Sequence, residues 1–182
     1  MPQLSIFTQR LEPTQLNEQQ HQRIKQQRQT GDYLSLDYDT RQRSRFKAMT
    51  QSGKQVGIDL PRTDTLKDGS ILSNDEGRLI QIEASKQTLT QVTAPNDDFF
   101  LLMKASYHLG NRHVPLMLTA TALYFEPDHV LDDMLQRLGV QTVTVDAPFE
   151  PETGAYQQHN THHHNNLNHS HAHSHPHSHA HT

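Results

Sequence analysis

Histidine is the residue of this chain best suited to chemistry, and it is unevenly distributed. The chain has 182 residues and 15 histidines, of which 11 lie between His159 and Thr182. A neutral imidazole is a nitrogen ligand suited to nickel, zinc, copper and iron, and its ordinary pKa of about 6.5 leaves it mostly unprotonated at pH 7. The last 24 residues contain no Asp, Glu, Lys or Arg. This pattern predicts a metal-binding C-terminal segment without formal charge.

The spacing within this segment favours several equivalent metal sites. Alternating His-X-His from His169 to His181 lets neighbouring imidazoles reach a common ion, and the small spacers keep the backbone pliable. Because the segment has almost no apolar residues, we expect it to be disordered without metal. The alternative, a purification tag, is disfavoured by the interspersed Ser, Ala, Asn and Pro. The predicted ligands here are His159, His162, His163, His164, His169, His171, His173, His175, His177, His179 and His181.

Three histidines of the preceding body are further candidates. His113 follows Gly-Asn-Arg where a helix is predicted to give way to a strand, and its spacing fits either a hydrogen-bonding helix end or a metal ligand. His108, one turn earlier, already has a structural explanation in the helix dipole. His129 follows Asp128, a predicted helix cap, and an imidazole beside a carboxylate can also form a pair of metal ligands.

Composition excludes several classes of protein. The chain has no cysteine, so disulfides, thiolate zinc sites, iron–sulfur clusters and a cysteine nucleophile are excluded. A formal charge of −4 makes nucleic acid a poor partner, because affinity for phosphates depends on Lys and Arg. No apolar run approaches the roughly 20 residues of a membrane helix, and no signal peptide is recognisable, so a cytoplasmic location is expected. The common phosphate-binding, metalloprotease and serine-hydrolase motifs are missing, which argues against an enzyme.

Periodicity predicts an α+β protein with a small N-terminal β-domain. Turn residues separate short predicted strands at 33–36, 46–50, 55–60, 70–72, 79–84 and 88–93, a spacing typical of a small barrel or sandwich. Residues 15–29 include seven glutamines and only two apolar residues, which suggests a solvated connection with helical character. The alternating cations Arg41, Arg43, Arg45 and Lys47 are predicted on one exposed face, either solvated or docked against an acidic partner.

After residues 94–96 the pattern becomes helical. Asn96 is a predicted cap for a helix that ends at Gly110, and Phe99, Phe100, Met103 and Tyr107 recur at helical spacing, with Phe99, Met103 and Tyr107 predicted in its core. Strands at 114–120 and 123–125, a helix from Asp128 to the Gly139 cap, and a strand at 140–145 follow. With 89–93 as first strand, the order is the βαββαβ of a ferredoxin-like domain. We therefore predict domains at 1–87 and 88–150, followed by the His-rich segment 151–182.

Several ordered motifs carry a resemblance to a known family. YHLGNRHVP at 107–115, DHVLDDML at 128–135, PFEPE at 148–152 and GAY at 154–156 occur in that order, and LPR at 60–62, LKDG at 66–69 and Leu72 extend the match towards the N-terminus. Together they resemble the UreE family of urease accessory nickel metallochaperones over roughly residues 33–156.

The resemblance implies an architecture and a metal site. It implies an N-terminal β-domain with peptide-binding features, a ferredoxin-like metal-binding domain, and a homodimer joined through the second domain. His113 would pair with its twofold mate to hold one Ni²⁺, since symmetry turns one residue into two facing ligands. His129 matches a further metal-binding histidine of some members. Pro127 stands where some relatives have another histidine, which reduces that secondary site to His129 with Asp128, and His108 is a further secondary ligand.

The resemblance also implies a function without catalytic turnover. Ni²⁺ would be captured and delivered to the accessory GTPase and the urease apoenzyme complex, and Zn²⁺ or Cu²⁺ are further ions that such imidazoles bind. Two other hypotheses stay open at this point. One is passive storage or detoxification of nickel or zinc by the His-rich segment alone, and the other is a metal-dependent hydrolase, which requires an open coordination position in a pocket.

Overall fold

A computed structural model describes residues 4–153, which form a mixed α+β protein. Within this range no helix is both long enough and apolar enough to span a membrane. The helices are α1 Glu18–Thr30, α2 Tyr38–Arg41, α3 Phe99–Gly110 and α4 His129–Leu138. The strands are β1 Ser5–Phe7, β2 Gln9–Leu11, β3 Leu34–Leu36, β4 Arg45–Met49, β5 Gln55–Asp59, β6 Ile71–Ser73, β7 Leu79–Ala84, β8 Lys86–Thr93, β9 Met117–Leu118, β10 Leu123–Phe125 and β11 Gln141–Pro148.

The N-terminal half consists of two small sheets that share one core. Their strand orders are β1-β5-β4 and β2-β6-β7-β3. The predicted strand at 79–84 is confirmed with the same bounds, and the other predicted strands are found within two residues of their expected ends. The shared core contains Phe7, Leu34, Leu36, Val56, Ile58, Leu60, Leu66, Leu72, Ile80 and Ile82.

The Gln-rich stretch is a regular helix, α1. Asn17 caps it by accepting a hydrogen bond from the Gln20 N–H (2.9 Å), and Gly31 ends it in the left-handed conformation with φ 77°. Ile24 is the buried residue of α1, and it packs with Ile71 and Leu79. A polar segment with one apolar anchor is therefore stabilised mainly by its two caps and this contact.

The C-terminal half is one antiparallel sheet whose buried residues share a single core with those of α3 and α4. The strand order is β11-β8-β10-β9, and Leu123 and Phe125 pair with Val92 and Thr90. The predicted strand 114–120 is wrong in extent, since the ladder includes only Met117–Leu118. The predicted Asn96 cap is also wrong: Asn96 has φ 55°, and Asp98 caps α3 by accepting from the Leu101 N–H (3.0 Å).

The expected core face of α3 lies in fact on the surface. Phe99, Met103 and Tyr107 are 57%, 60% and 67% exposed, and Phe100 is 62% exposed. The opposite face of the helix is buried instead, through Leu102, Ala105 and Leu109. Because both faces of α3 are apolar, the periodicity predicted the helix correctly but assigned the wrong face to the core. The outward stripe of Phe99, Phe100, Met103 and Tyr107 is called the α3 apolar face below.

Arg41 is not on the exposed cationic face predicted for it. It is the last residue of α2 and is only 1% exposed. Its guanidinium forms an ion pair with Glu150 and donates to the carbonyl oxygens of Phe149 and Leu66, the latter at 3.2 Å. The Asp68 N–H also donates to Glu150 Oε1 (3.0 Å). Arg41 therefore joins the N-terminal half to the segment that follows β11.

Asp132 is a partly buried carboxylate between α4 and the sheet. Its Oδ1 is buried and has no hydrogen-bond partner among residues 4–153. Burial raises the pKa of the Asp132 carboxyl above its ordinary value, the nearby Thr90 side chain opposes this shift, and the charges of Asp128 and Asp133 increase it. Ionised Asp132 therefore lowers the stability of the fold.

We predict that Arg41→Ala lowers the free energy of unfolding by about 3–5 kcal/mol, because Glu150 and two carbonyl groups lose their partner. Urea unfolding measures this loss. The control Arg45→Ala removes the exposed ion pair between Arg45 and Asp59 (2.9 Å) and should cost less than about 1 kcal/mol. Equal losses for the two variants would contradict the role given to Arg41.

We predict that Asp132→Asn raises the urea midpoint at pH 7. The folded-state pKa of Asp132 is raised, so the wild type loses stability relative to the variant as pH rises through that pKa. Below the unfolded pKa of about 4 the carboxyl is protonated in both states, and the advantage should vanish. Asp75→Asn, which removes an exposed carboxylate in the turn between β6 and β7, is the control. A lower midpoint for Asp132→Asn at pH 7 would refute this explanation.

Candidate metal centre

His113 lies in a tight turn that follows α3. Its N–H donates to the Gly110 carbonyl (3.0 Å), and its φ is 56°. A positive φ is uncommon for any residue other than glycine and costs about 1–3 kcal/mol, and such strain is concentrated at functional positions. The His113 side chain is exposed and forms no hydrogen bond with another residue in the range 4–153. The fold thus keeps this imidazole accessible on a strained backbone.

Three hydrogen bonds to the last turn of α3 hold the turn that contains His113. The Leu109 carbonyl accepts from the Arg112 N–H (3.0 Å) and from the Val114 N–H (3.5 Å), and Leu109 is fully buried. The Arg112 guanidinium donates to the His108 carbonyl (2.9 Å). Because these bonds fix both sides of His113, its side chain starts from a defined point on the surface.

His108 lies in the last turn of α3 and is half-buried. Its ring stands edge-on to that of Tyr107, with centroids 5.5 Å apart. This location agrees with the structural explanation from the helix dipole. A ligand role for His108 stays a prediction.

His129 and Asp128 begin α4, as predicted. Asp128 Oδ1 accepts from the Val130 N–H (2.8 Å) and the Leu131 N–H (3.1 Å), which confirms its capping role. Both bonds use the same oxygen, which leaves Oδ2 for another partner. His129 is exposed beside this cap.

A surface groove lies between α4 and the residue that precedes His113, although His113 itself does not line it. The groove has a volume of about 440 Å³, and its lining includes His129 and also Arg112, the residue before His113. Asp133 lines the same groove four residues after His129, so an imidazole and a carboxylate share one side of α4. Sequence reasoning missed Asp133, although the i, i+4 spacing was visible. Val130, Met134 and Arg137 complete the lining.

Within residues 4–153 no three His, Asp or Glu side chains converge on one point that could hold a metal ion. The candidates in one copy are His113 in its turn and, separately, His129 with Asp128 and Asp133. The eleven predicted ligands between His159 and His181 lie outside the described residues.

The C-terminal half of the chain contains more acidic than basic side chains. Residues 86–152 contain 9 of the 20 acidic side chains of the chain but only 4 of its 16 basic ones. Excess negative charge raises the local concentration of cations. The half of the chain that contains His113 and His129 therefore has an excess of negative formal charge, although Arg112 and Arg137 line the groove beside Asp133.

The α3 apolar face belongs to the same helix that leads into the His113 turn. Its Phe100 ring lies 4.4 Å from the Lys104 ammonium, measured to the ring centroid. Large exposed apolar patches mark interaction sites in proteins that otherwise bury such side chains. An exposed apolar helix face and an accessible imidazole thus lie on one continuous segment, residues 99–113.

Comparison with known proteins gives one consistent result. Residues 7–85 match the N-terminal domain of UreE urease accessory protein, and residues 87–181 match its C-terminal domain. The urease accessory protein UreE of Acinetobacter baylyi is 50% identical over 160 residues, which cover 88% of this chain and 92% of that protein. The Acinetobacter baumannii protein of the same name is 48% identical with the same coverage. That of Ralstonia nicotianae is 44% identical over 131 residues, 72% of this chain and 61% of the relative. This chain therefore belongs to the UreE family of urease accessory proteins.

Proposed function

We propose that this protein is a cytoplasmic nickel metallochaperone that captures Ni²⁺ and delivers it to the urease apoenzyme and its accessory GTPase. The family consists of accessory chaperones rather than enzymes and acts in urease maturation. The observation that carries the proposal is His113, an exposed imidazole on a strained backbone next to an unusually apolar helix face. Ni²⁺ is cargo here, and its transfer is a ligand exchange.

The α3 apolar face supports a homodimer. Its four large side chains are 57–67% exposed in one copy of the chain. Packing against the same face of a second copy, related by a twofold axis, would remove them from water. Because His113 follows α3 directly, such a dimer brings two copies of His113 towards one axis. One Ni²⁺ held by both imidazoles would then lie between the protomers.

The finer fold assignment is part of the same proposal. The strand order β11-β8-β10-β9 with antiparallel neighbours supports a ferredoxin-like domain over residues 88–150. The β-domain with peptide-binding features would comprise residues 1–87, and the His-rich segment residues 151–182.

Segment 151–182 begins within reach of His113. The Glu152 N–H donates to the Leu116 carbonyl (2.9 Å), and Leu116 is three residues after His113. Seven residues of extended chain span at most about 25 Å, so His159 and later histidines can complete the coordination of an ion held at His113. His129 with Asp128 and Asp133, and His108 more weakly, would form secondary sites. Zn²⁺ and Cu²⁺ should also bind, since imidazole does not select nickel by strength.

We predict that His113→Ala removes the tightest nickel site of the full-length protein. Each dimer loses two ligands, so the affinity of that site should fall at least about tenfold, while the sites of the His-rich segment persist. Isothermal titration with Ni²⁺ measures both classes of site. His21→Ala, which removes an exposed histidine on α1, is the matched control. An unchanged tight site in His113→Ala would exclude His113 as the shared ligand.

The same variant separates delivery from passive storage. In cells that express the urease operon at limiting nickel, His113→Ala should lower urease activation. A storage protein that uses only its eleven C-terminal histidines would instead keep activation and lose nickel tolerance when residues 154–182 are deleted.

We predict that Met103→Glu dissociates the dimer. A carboxylate in the centre of the α3 apolar face must be desolvated on association, so the dimer dissociation constant should rise about a hundredfold. Analytical ultracentrifugation measures it, and the tight nickel site should disappear with the dimer. Met49→Glu is the control, because Met49 is similarly exposed (61%) but belongs to β4. A persistent dimer in Met103→Glu would place the interface elsewhere.

A further inference from the structure

A surface cleft is lined by both sheets of the N-terminal half and by α1. Its volume is about 710 Å³, within the range of about 300–1,000 Å³ that is usual for small-molecule sites. Four buried apolar residues of the sheets belong to its lining, namely Phe7, Val56, Leu79 and Ile80, and half-buried Leu4 adds to them. The inner part of the cleft is therefore apolar.

The turn between β4 and β5 forms a hydrogen-bonded part of the lining. Lys54 Nζ pairs with Asp32 Oδ2 (2.6 Å), Ser52 Oγ donates to the same carboxylate, and the Ser52 N–H donates to the Gly31 carbonyl (2.9 Å). The hydrogen bonds from Lys54 and Ser52 hold the pKa of the Asp32 carboxyl below its ordinary value, so this carboxylate is ionised at pH 7. It balances the charge of Lys54.

The turn between β6 and β7 contributes a second balanced cation. Arg78 Nε pairs with Glu76 (2.9 Å), and the same guanidinium donates to Ser5 Oγ (3.0 Å). All three residues line the cleft. Two cations of the cleft, Lys54 and Arg78, are therefore already matched by carboxylates.

Arg23 is the unmatched cation of this cleft. It lies on α1, is exposed, and forms no ion pair with any residue in the range 4–153. Gln27, one helical turn later, lines the cleft as well and fixes α1 to β7, since its Nε2 donates to the Leu79 carbonyl (2.9 Å). Among the described residues the lining contains three cations and two carboxylates, so it can take one further negative charge near Arg23.

We propose that this cleft binds a small organic anion with a planar apolar body and one carboxylate or phosphate group. The apolar body would lie against the inner residues of the lining, and the anionic group would pair with Arg23. Small-molecule sites combine an apolar lining with a few fixed polar groups in this way. A flat ring buries apolar surface at little conformational cost, because it has few rotatable bonds to immobilise.

A solvent-filled gap between the sheets is the competing explanation, with Arg23 as an ordinary surface cation. What favours a ligand is the combination of charges around one cleft: Lys54 and Arg78 are neutralised and held by hydrogen bonds, whereas Arg23 is not. A solvent-filled gap predicts that Arg23 and the other cations of α1 have equal effects on any added anion. The two explanations therefore differ in a measurable way.

The test is an amide NMR titration of the full-length protein with two anions and their neutral analogues. Indole-3-acetate represents the carboxylates and adenosine 5′-monophosphate the phosphates, and indole-3-acetamide and adenosine are the analogues without the charge. The protein variants are Arg23→Glu and the matched control Lys25→Glu, which reverses an exposed charge of α1 that does not line the cleft. Nickel titration of both variants shows whether the proposed metal site is intact.

At least one anion should bind the wild type with a dissociation constant of about 1 mM or lower, as expected for a ligand of this size. The shifted amides should map to the cleft, at residues 50–56 and 76–80. Arg23→Glu should weaken this binding about fivefold or more, because attraction becomes repulsion, and loss of the ligand charge should have a similar effect. Lys25→Glu should leave binding unchanged. The anion that binds more tightly identifies the carboxylate or the phosphate class.

Three results would overturn the proposal in favour of a solvent-filled gap: no saturable binding of either anion, equal weakening by Lys25→Glu, or equal binding of the neutral analogues. Shifts that map to the α3 apolar face instead of the cleft would overturn it as well. Because the cleft contains no proposed nickel ligand, these results leave the nickel function to be judged by its own titration.

Discussion

The buried guanidinium of Arg41 is the interaction on which the arrangement of the described chain depends. A charged side chain at 1% exposure is tolerated only with close partners, and it finds them in Glu150 and in the carbonyls of Phe149 and Leu66. These contacts fix the segment after β11 against the N-terminal sheets. Two residues beyond Glu150, Glu152 is bonded to Leu116, which lies close in sequence to His113. One ion pair thus stabilises both halves and the starting point of the His-rich segment.

Much of the fold was predictable because its signals are local. Turn residues and alternation located β7, and the capping residues Asp128 and Gly139 located both ends of α4. The burial of Arg41 was not predictable, because its partners Phe149 and Glu150 are 108 and 109 residues away. The α3 error has a different cause. A helix that is apolar on two sides gives no periodic signal for which side faces the core, so only tertiary packing decides it.

For the candidate metal centre, the sequence likewise predicted which residues are candidates but not their backbone conformation or their spatial arrangement. Residue type and motif drew attention to His113, His129 and Asp128, and the first two are exposed at the ends of helices in the structure. Histidine is one of the non-glycine residues found most often in the left-handed region, but few histidines adopt it, so residue type alone did not indicate the φ of His113. The shared groove of Arg112, His129 and Asp133 arises from packing of the turn beside α4, which no spacing along the chain encodes.

The φ of 56° at His113 sets function against stability at one position. Glycine there would relieve the backbone, a gain of about 1 kcal/mol, but it would remove the imidazole. A search for more stable variants that ignores metal would therefore favour discarding this side chain first. In the proposed role, histidine at position 113 lowers the stability of the fold but provides the metal ligand. Thermostabilised variants of the protein should therefore be tested for nickel binding before use.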